Sequence, residues 1–547
     1  MNAYHDDRHG IVSSERGAAL VIALFIIAVL TVLGVLVLNT SIVEVKMATN
    51  QRISSQVFYA AEAGLERALK VLIEDFENDT TANSPWGNAT YAVAGTVTET
   101  AVTGSTTFDV ATRTMDMYMT SPAVKKLNFT GGTTLGPTSY EIYIYKVNAS
   151  EIYIMALGTG LGGVASVEYY LEVEDLSPYN NAIFTGAGIV GNFNGSVNVA
   201  GSIYSKGNIN PSGNVYITNN YDDGYAIDAT LSGLLPTVTD LEAKVRVSGG
   251  NLTLDGSAQI GFGSSNGSIA GVYVDGAVDW GTQTSHYDEF SNEVPDIDMP
   301  TILDGITGEF GDGIIATCGY SGSDAAVALS IYADWATGTG CDPTGSGTSS
   351  GAVITGDVII DDSTASFAYS DGNGNGLFWD EATDTLTVQG NVVVEGNLQV
   401  GENQGGNKLE TIEYVATGAD TGSGSDNEGG ANLFVSGNTL IEGTFGPLST
   451  GYLNGGNNTN SLGMVTAGDL TFDGKNGDFY TGFFYAENQI NFNKQSHFAG
   501  TVIGGVVNWS QVPNVYQVPN LANYLPPGMP GGYKILAFTT RQWRRVY

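Results

Sequence analysis

The chain has 547 residues, with 57 acidic against 20 basic side chains and a formal net charge of −37. So acidic a surface repels nucleic acid and anionic headgroups, which excludes nucleic-acid capture by a broad basic face and favours divalent cations. With 14% charged residues, 42% hydrophobic ones and 74 glycines, the composition excludes wholesale disorder and predicts many short strands joined by tight turns.

The chain opens on a short polar stretch, MNAYHDDRHGIVSSERG, that ends at Gly17 directly against an apolar run. From Ala18 to Leu38 there is no charge, and only Thr31 and Gly34 interrupt the apolar residues. Those 21 residues, as a helix, span about 30 Å, the thickness of a bilayer's hydrocarbon core. No proline follows until Pro85, so the helix is expected to continue. Past Leu38 the pattern turns amphipathic, with Ile42, Val45, Ile53, Val57, Ala60, Ala61, Leu65 and Leu69 near helical spacing. A secretory signal would have a shorter apolar core with a cleavage site after it. Here the expected cut lies before the run, between Gly17 and Ala18, and leaves the helix on the mature chain. An ordinary N-terminal anchor is the alternative.

This layout resembles a type IV prepilin: a hydrophilic leader, a glycine cut by a prepilin peptidase, then a helix that leaves the inner membrane for a filament core. GAALVIALFIIAVLTVLGVLVL, followed by Glu44, Met47, Asn50 and the run Ala60-Ala61-Glu62-Ala63-Gly64, resembles the PilX-type N-terminal domain of minor pilins, over roughly residues 13–75. The resemblance implies other pilins and minor pilins as partners through the helix, and an exported body. Major pilins carry Glu at the fifth mature position; the fifth residue from Ala18 is Ile22. An unpaired charge in an apolar core is expensive, so a subunit lacking this Glu suits the filament tip, where no neighbour's amine waits above. A low-abundance subunit that tolerates the loss is the alternative.

The layout predicted is a leader at 1–17, a spine helix at 18–78, a pilin-like β domain at 79–178 and a glycine-rich body at 179–547 with an insertion near 285–345. The fold class expected is an α+β pilin-like module, a long helix plus an antiparallel sheet, followed by an all-β, β-helix-like body. Alternation is clear in Tyr140–Ile144 and in Val167–Val173. From Asn180 glycines recur six apart, at Gly195, Gly201, Gly207 and Gly213, and again at Gly390/Gly396, Gly437/Gly443 and Gly468/Gly474. Such a step builds a coiled stack of short parallel strands; an antiparallel sandwich with glycine turns is the alternative. Residues 232–247 contain a helix candidate after Pro236. The basic C-terminal stretch, with Arg541, Arg544 and Arg545, is expected to close the stack as a last strand.

Few residues carry chemistry. Asp371, Asn373 and Asn375 offer oxygens at positions 1, 3 and 5 of a calcium-loop opening, Gly376 is at 6 and the Leu377 carbonyl at 7. Position 12 is Ala382, so Asp380, Glu381 or Asp384 would have to complete the set. Ca2+ is thus the candidate cofactor, against a plain Asn-Gly turn. Cys318 and Cys341, on the exported side, are the disulfide expected of an oxidising compartment, against two buried thiols. Carboxylate pairs such as Asp296/Asp298 and Asp361/Asp362 arise by chance among 57 acids, and no nucleophile with a His partner stands out. The chain reads as no enzyme. The function expected is a minor pilin at or near the tip, in type IV pilus assembly and surface adhesion, with a surface or carbohydrate ligand. A tip pseudopilin of a type II secretion system is the alternative, and a β-helix polysaccharide-active enzyme the more distant one.

Overall fold

The computed structural model describes residues 11–78, 97–101, 124–129, 132–146, 151–190, 195–224, 229–305, 351–401, 411–415, 431–447 and 462–546, apart from single positions at 362, 373 and 476 and some between 510 and 535. The chain divides into two units: residues 1–79, 84–173 and 538–547 form one, residues 80–83 and 174–537 the other.

The first unit is built on one helix, α1 (Ile11–Asn78). Its covered face begins at the half-buried Ile53 and continues through Val57, Ala60, Ala61, Leu65, Ala68 and Leu72, three or four residues apart. Ile42 and Val45, expected on that face, are exposed. The sheet comprises β1 (Val97–Ala101), β2 (Val124–Phe129), β3 (Thr134–Leu135), β4 (Thr138–Lys146), β5 (Glu151–Gly160) and β6 (Gly163–Asp175). Strand order is β1-β2-β4-β5-β6, with antiparallel pairing from β1 through β6 and β3 folded back on β4. Cross-strand partners Ile142–Ala156–Val167 and Tyr140–Gly158–Ala165 line one face, as the period of two requires.

Small residues bring helix and sheet together. A Cβ on Gly64 would lie 2.6 Å from the Tyr140 ring, and one on Gly158 only 1.9 Å from the Val57 carbonyl oxygen. The Ala60–Gly64 run is thus a packing surface that admits β4 and β5 close to the helix backbone. On the opposite face Val124, Tyr153, Met155 and Tyr170 form a second cluster.

The C-terminal strand, Leu536–Val546, does not close the body as expected. It pairs with β6, at the edge of the first unit's sheet. The whole second unit is therefore an excursion between two neighbouring strands. Alternation marks such a stretch as a strand but carries no information about which sheet receives it.

The second unit is a stack of coils whose strands pair in parallel. One file runs outward from Ile183–Thr185 through Ile203–Ser205, Lys244–Val247 and Ile269–Val274 to Tyr287–Ser291. On its other side Ile183–Thr185 pairs with residues 502–504 of the strand His497–Trp509. From there the file continues through Phe479–Phe492, Leu462–Thr466, Ala431–Val435 and Asn391–Glu395 to Ala352–Thr355. The chain thus enters the stack in its middle, builds to one end, crosses to the other and builds back. The crossing begins with residues 292–305, the described start of the expected insertion near 285–345. Among the described strands of this stack the antiparallel pairings are those of Gly376–Asp380, with Phe367–Ser370 on one side and Thr385–Gln389 on the other. The short helix lies at Ala229–Leu234, before Pro236 and not after it; the residue preceding a proline is pushed out of helical geometry.

The six-residue glycine step marks one side of a coil. Gly195 and Gly213, 18 residues apart, lie in register on neighbouring coils. Elsewhere coils are longer, and the repeating element is a Gly-Asn/Asp corner. Gly356, Gly396, Gly437 and Gly468 succeed one another along the stack; a Cβ on Gly396 would lie 2.5 Å from the Gly356 carbonyl carbon. Beside them Asp357, Asn397 and Asn438 each accept, through a side-chain oxygen, the backbone N–H of the corresponding residue of the next coil, all at 2.8 Å. Asn208 and Asn251 do the same for Asn251 and Ala277. Each rung satisfies an amide that the corner would otherwise strand. Asn438→Ala should cost about 1 kcal/mol and speed hydrogen exchange at the Asp469 amide; unchanged protection there would refute the ladder's role.

Inner strands of the file such as Asn391–Glu395 and Ala431–Val435 are covered on both faces, which is why they read as unbroken apolar runs, Val392-Val393-Val394 and Leu433-Phe434-Val435, all buried. Part of the outer cover is the first stretch of the crossing link. The Tyr204 hydroxyl donates to the Pro295 carbonyl at 3.0 Å and accepts from Ile297 N–H at 2.7 Å, while the Tyr485 hydroxyl donates to the Pro300 carbonyl at 2.7 Å. Tyr204 and Tyr485 stand three strand spacings apart, about 14 Å. The strap Pro295–Pro300 thus bridges the seam where the returning coils meet Ile183–Thr185.

Candidate assembly surface on the N-terminal helix

From Gly17 to Arg52 every residue of α1 is exposed, including all of Ala18–Leu38. Helix Gly17–Leu72 holds a segment long and apolar enough to cross a membrane. Its polar interruptions are neutralised locally: Thr31 Oγ1 donates to the Ile27 carbonyl at 2.7 Å and Thr40 Oγ1 to that of Leu36 at 3.0 Å. The run therefore carries no stranded hydroxyl into an apolar environment. Ile22 is 59% exposed and lies on the bare surface. Gly17 and Ala18 lie within the continuous helix, and a Cβ on Gly17 would touch nothing within 4 Å.

Among the described residues, the expected calcium ligands Asp371, Asn375, Leu377, Asp380 and Glu381 are spread along a turn and a strand. Asn375 is 2% exposed, and its side-chain oxygen accepts the Asn391 N–H at 3.0 Å while its Nδ2 donates to Asp371 at 2.7 Å. Its amide belongs to an internal ladder that continues from Asn391 to Asn432. The Leu377 side chain is buried in the core. Asp380 and Glu381 lie at the far end of strand Gly376–Asp380, whose length is about 13 Å, and there Asp380 caps its own turn through Ala382 N–H and Thr383 Oγ1. Asn373 lies outside the described residues, as do Cys318, Cys341 and Asp362. Asp296 and Asp298 both pair with Lys206, the former at 3.0 Å, and so clip the strap to the stack. Asp361 accepts from Ser363 and Thr364, hydrogen bonds that hold its carboxyl below the usual range.

Two carboxylates carry the marked electrostatics. Glu174, where the chain passes from the first unit's β6 into the second unit, pairs with Lys244 at 2.6 Å and with Arg246. Burial pushes its carboxyl up, but the two cations outweigh that and hold it below the ordinary range. Arg246, 5% exposed, also lies 5.4 Å over the Tyr273 ring. In the first unit Glu141 accepts from Lys126 and from the Tyr143 hydroxyl, both at 2.6 Å. There too burial raises the carboxyl and the two donors bring it below its usual value, while burial and the Glu141 charge push the Tyr143 hydroxyl up.

Two further positions escape a reading of periodicity: Gly158, against the helix backbone, and Leu161, at the β5–β6 hairpin tip. The only signal for either is the glycine run Gly158–Gly163, which breaks an otherwise regular alternation.

The family model described as PilX N-terminal matches residues 16–66, the stretch that holds the bare run and most of the covered helix. Among solved structures, the competence-associated pilin ComZ from Thermus thermophilus is similar at 17% identity and a TM-score of 0.44, over 90% of this chain and 97% of that one. A search of curated protein sequences finds no match. Residues 16–66 are thus similar to the N-terminal segment of PilX-type pilins.

Proposed function

We propose that this chain is a minor pilin, cut after Gly17, held in the inner membrane by Ala18–Leu38 and then drawn into an extracellular type IV filament at or near its tip, where its body serves surface adhesion. The observation that carries the reading is the two-part helix: a bare apolar run of membrane length, then a face covered by the chain's own sheet. A neighbour's helix can replace lipid around the first part without disturbing the second. Ile22 supports the tip, because a helix without that carboxylate offers nothing to an ammonium above it.

In this reading Gly17→Glu blocks processing, since a prepilin peptidase needs no side chain at the residue before the cut. Mass spectrometry of the wild-type protein should find Ala18 at the N-terminus. Immunogold label should sit at filament ends in a few copies. An N-terminus left at Met1 would sink the pilin reading. Regular label along the shaft would remove the tip, and label confined to the envelope would favour a tip pseudopilin of a type II secretion system.

A further inference from the structure

The hairpin joining β5 to β6 turns on Leu161 and Gly162, whose φ angles are +53° and +81°, between the paired Gly160 and Gly163. A two-residue turn of this hand favours Asn-Gly, because the left-handed region presses a Cβ toward the following carbonyl. Leucine does not recover that cost by burial, since Leu161 is 47% exposed. A strained apolar residue held out at a hairpin tip points to something outside the fold.

Its surroundings share the character. Leu135 and Val164 are also exposed. The turn after Leu135 abuts this hairpin, with a Cβ on Gly160 placed 2.6 Å from the Pro137 carbonyl oxygen, and a Cβ on Gly163 would lie 2.6 Å from Ile53 Cγ2. Ile53 is where α1 passes from bare to covered. Three exposed apolar side chains therefore rim the end of the sheet nearest the bare helix. The stretches Thr130–Tyr140 and Ala156–Val167 that carry them hold no charged residue, in a chain of net charge −37. Here another acidic subunit can approach without repulsion.

Lipid does not reach this rim. From Leu38 to Ile53 the helix rises about 22 Å, whereas headgroups add only about 5–8 Å to each side of the hydrocarbon. At the intervening height the chain itself displays bare helix with Ile42, Val43, Val45 and Met47 exposed, the surface a like subunit would offer. We infer that the rim of Leu135, Leu161 and Val164 docks on the apolar spine helix of a neighbouring pilin-like subunit. This inference rests on the filament reading above.

Leu161→Asn relieves the turn, so the folded chain should melt at the same temperature or higher. Its incorporation into sheared filaments should nevertheless fall about fivefold or more. Benzoylphenylalanine at position 161 of the full chain, irradiated in filaments, should yield an adduct with a neighbour's helix. Wild-type incorporation of L161N, or an adduct with lipid alone, overturns the docking and leaves the filament reading standing. Absence of the wild-type chain from filaments sinks the filament reading and this inference with it.

Discussion

Gly158→Val should cost the first unit about 3 kcal/mol or more and lower its melting temperature by about 6–12 °C. A Cβ there falls 1.9 Å from the Val57 carbonyl oxygen and 2.9 Å from the Ala61 nitrogen. Both are helix backbone, so no side chain can swing aside. Either β5 retreats from α1, opening the seam lined by Ala60, Ala61 and Ala156, or the helix bends and strains its own hydrogen bonds. The control is Gly34→Ala, a helical glycine with nothing within 4 Å of the added carbon. It should be neutral or stabilising by up to about 1 kcal/mol. Thermal melts of the detergent-solubilised chain, followed by the helical circular-dichroism signal, distinguish the two. Equal melting of both variants would mean the sheet does not sit on the helix as described.

Glu174→Ala should cost the second unit about 2–3 kcal/mol, because it leaves Arg246 buried without its carboxylate. The figure lies below that for a fully buried pair, since the Glu174 side chain keeps 31% of its surface exposed. Glu174→Gln should lose nearly as much at neutral pH. The pH dependence follows from the sign of the shift. The folded carboxyl is held below its unfolded value, so its contribution is complete above about pH 4.3 and is lost as pH falls through the lower folded value. Wild type and Glu174→Gln should therefore melt several degrees apart at pH 7 and converge as pH falls through the lowered folded value. A gap that does not narrow with acidification would assign the effect to shape and not to charge.

Much of the first unit is legible in the sequence because its signals are local. A charge-free run of bilayer length, an Ala-Ala-x-Ala-Gly patch and a period of two in Tyr140–Ile144 each report on residues a few positions apart. The buried Val57, Ala60, Ala61 and Leu65 fall where helical spacing places them. Ile42 and Val45 misled for a physical reason: amphipathic spacing marks a face that could be covered, and here the sheet begins only at Ile53. The calcium-loop opening shows a different limit of local reading. Asp-x-Asn-x-Asn-Gly states which oxygens exist, but Asn375 spends its oxygen on a neighbouring coil's Asn391 N–H, a partner set by the stack and invisible in the loop itself. The crossing link is equally opaque. Nothing local in Ser291 or Ala352 says that the chain restarts at the opposite end of the stack.

The pairing of β6 with the C-terminal strand sets an order in time. Between the end of β6 and the start of that strand lie about 360 residues, and at roughly 5–20 residues per second the ribosome needs about 20–70 s to make them. For that interval β6 presents a bare edge with unpaired N–H and C=O groups, a template for aggregation. The residues that cover it are made only after the body has been. A chain broken anywhere in the body keeps α1 but leaves the sheet unfinished, so the first unit is complete only once the second has been synthesised.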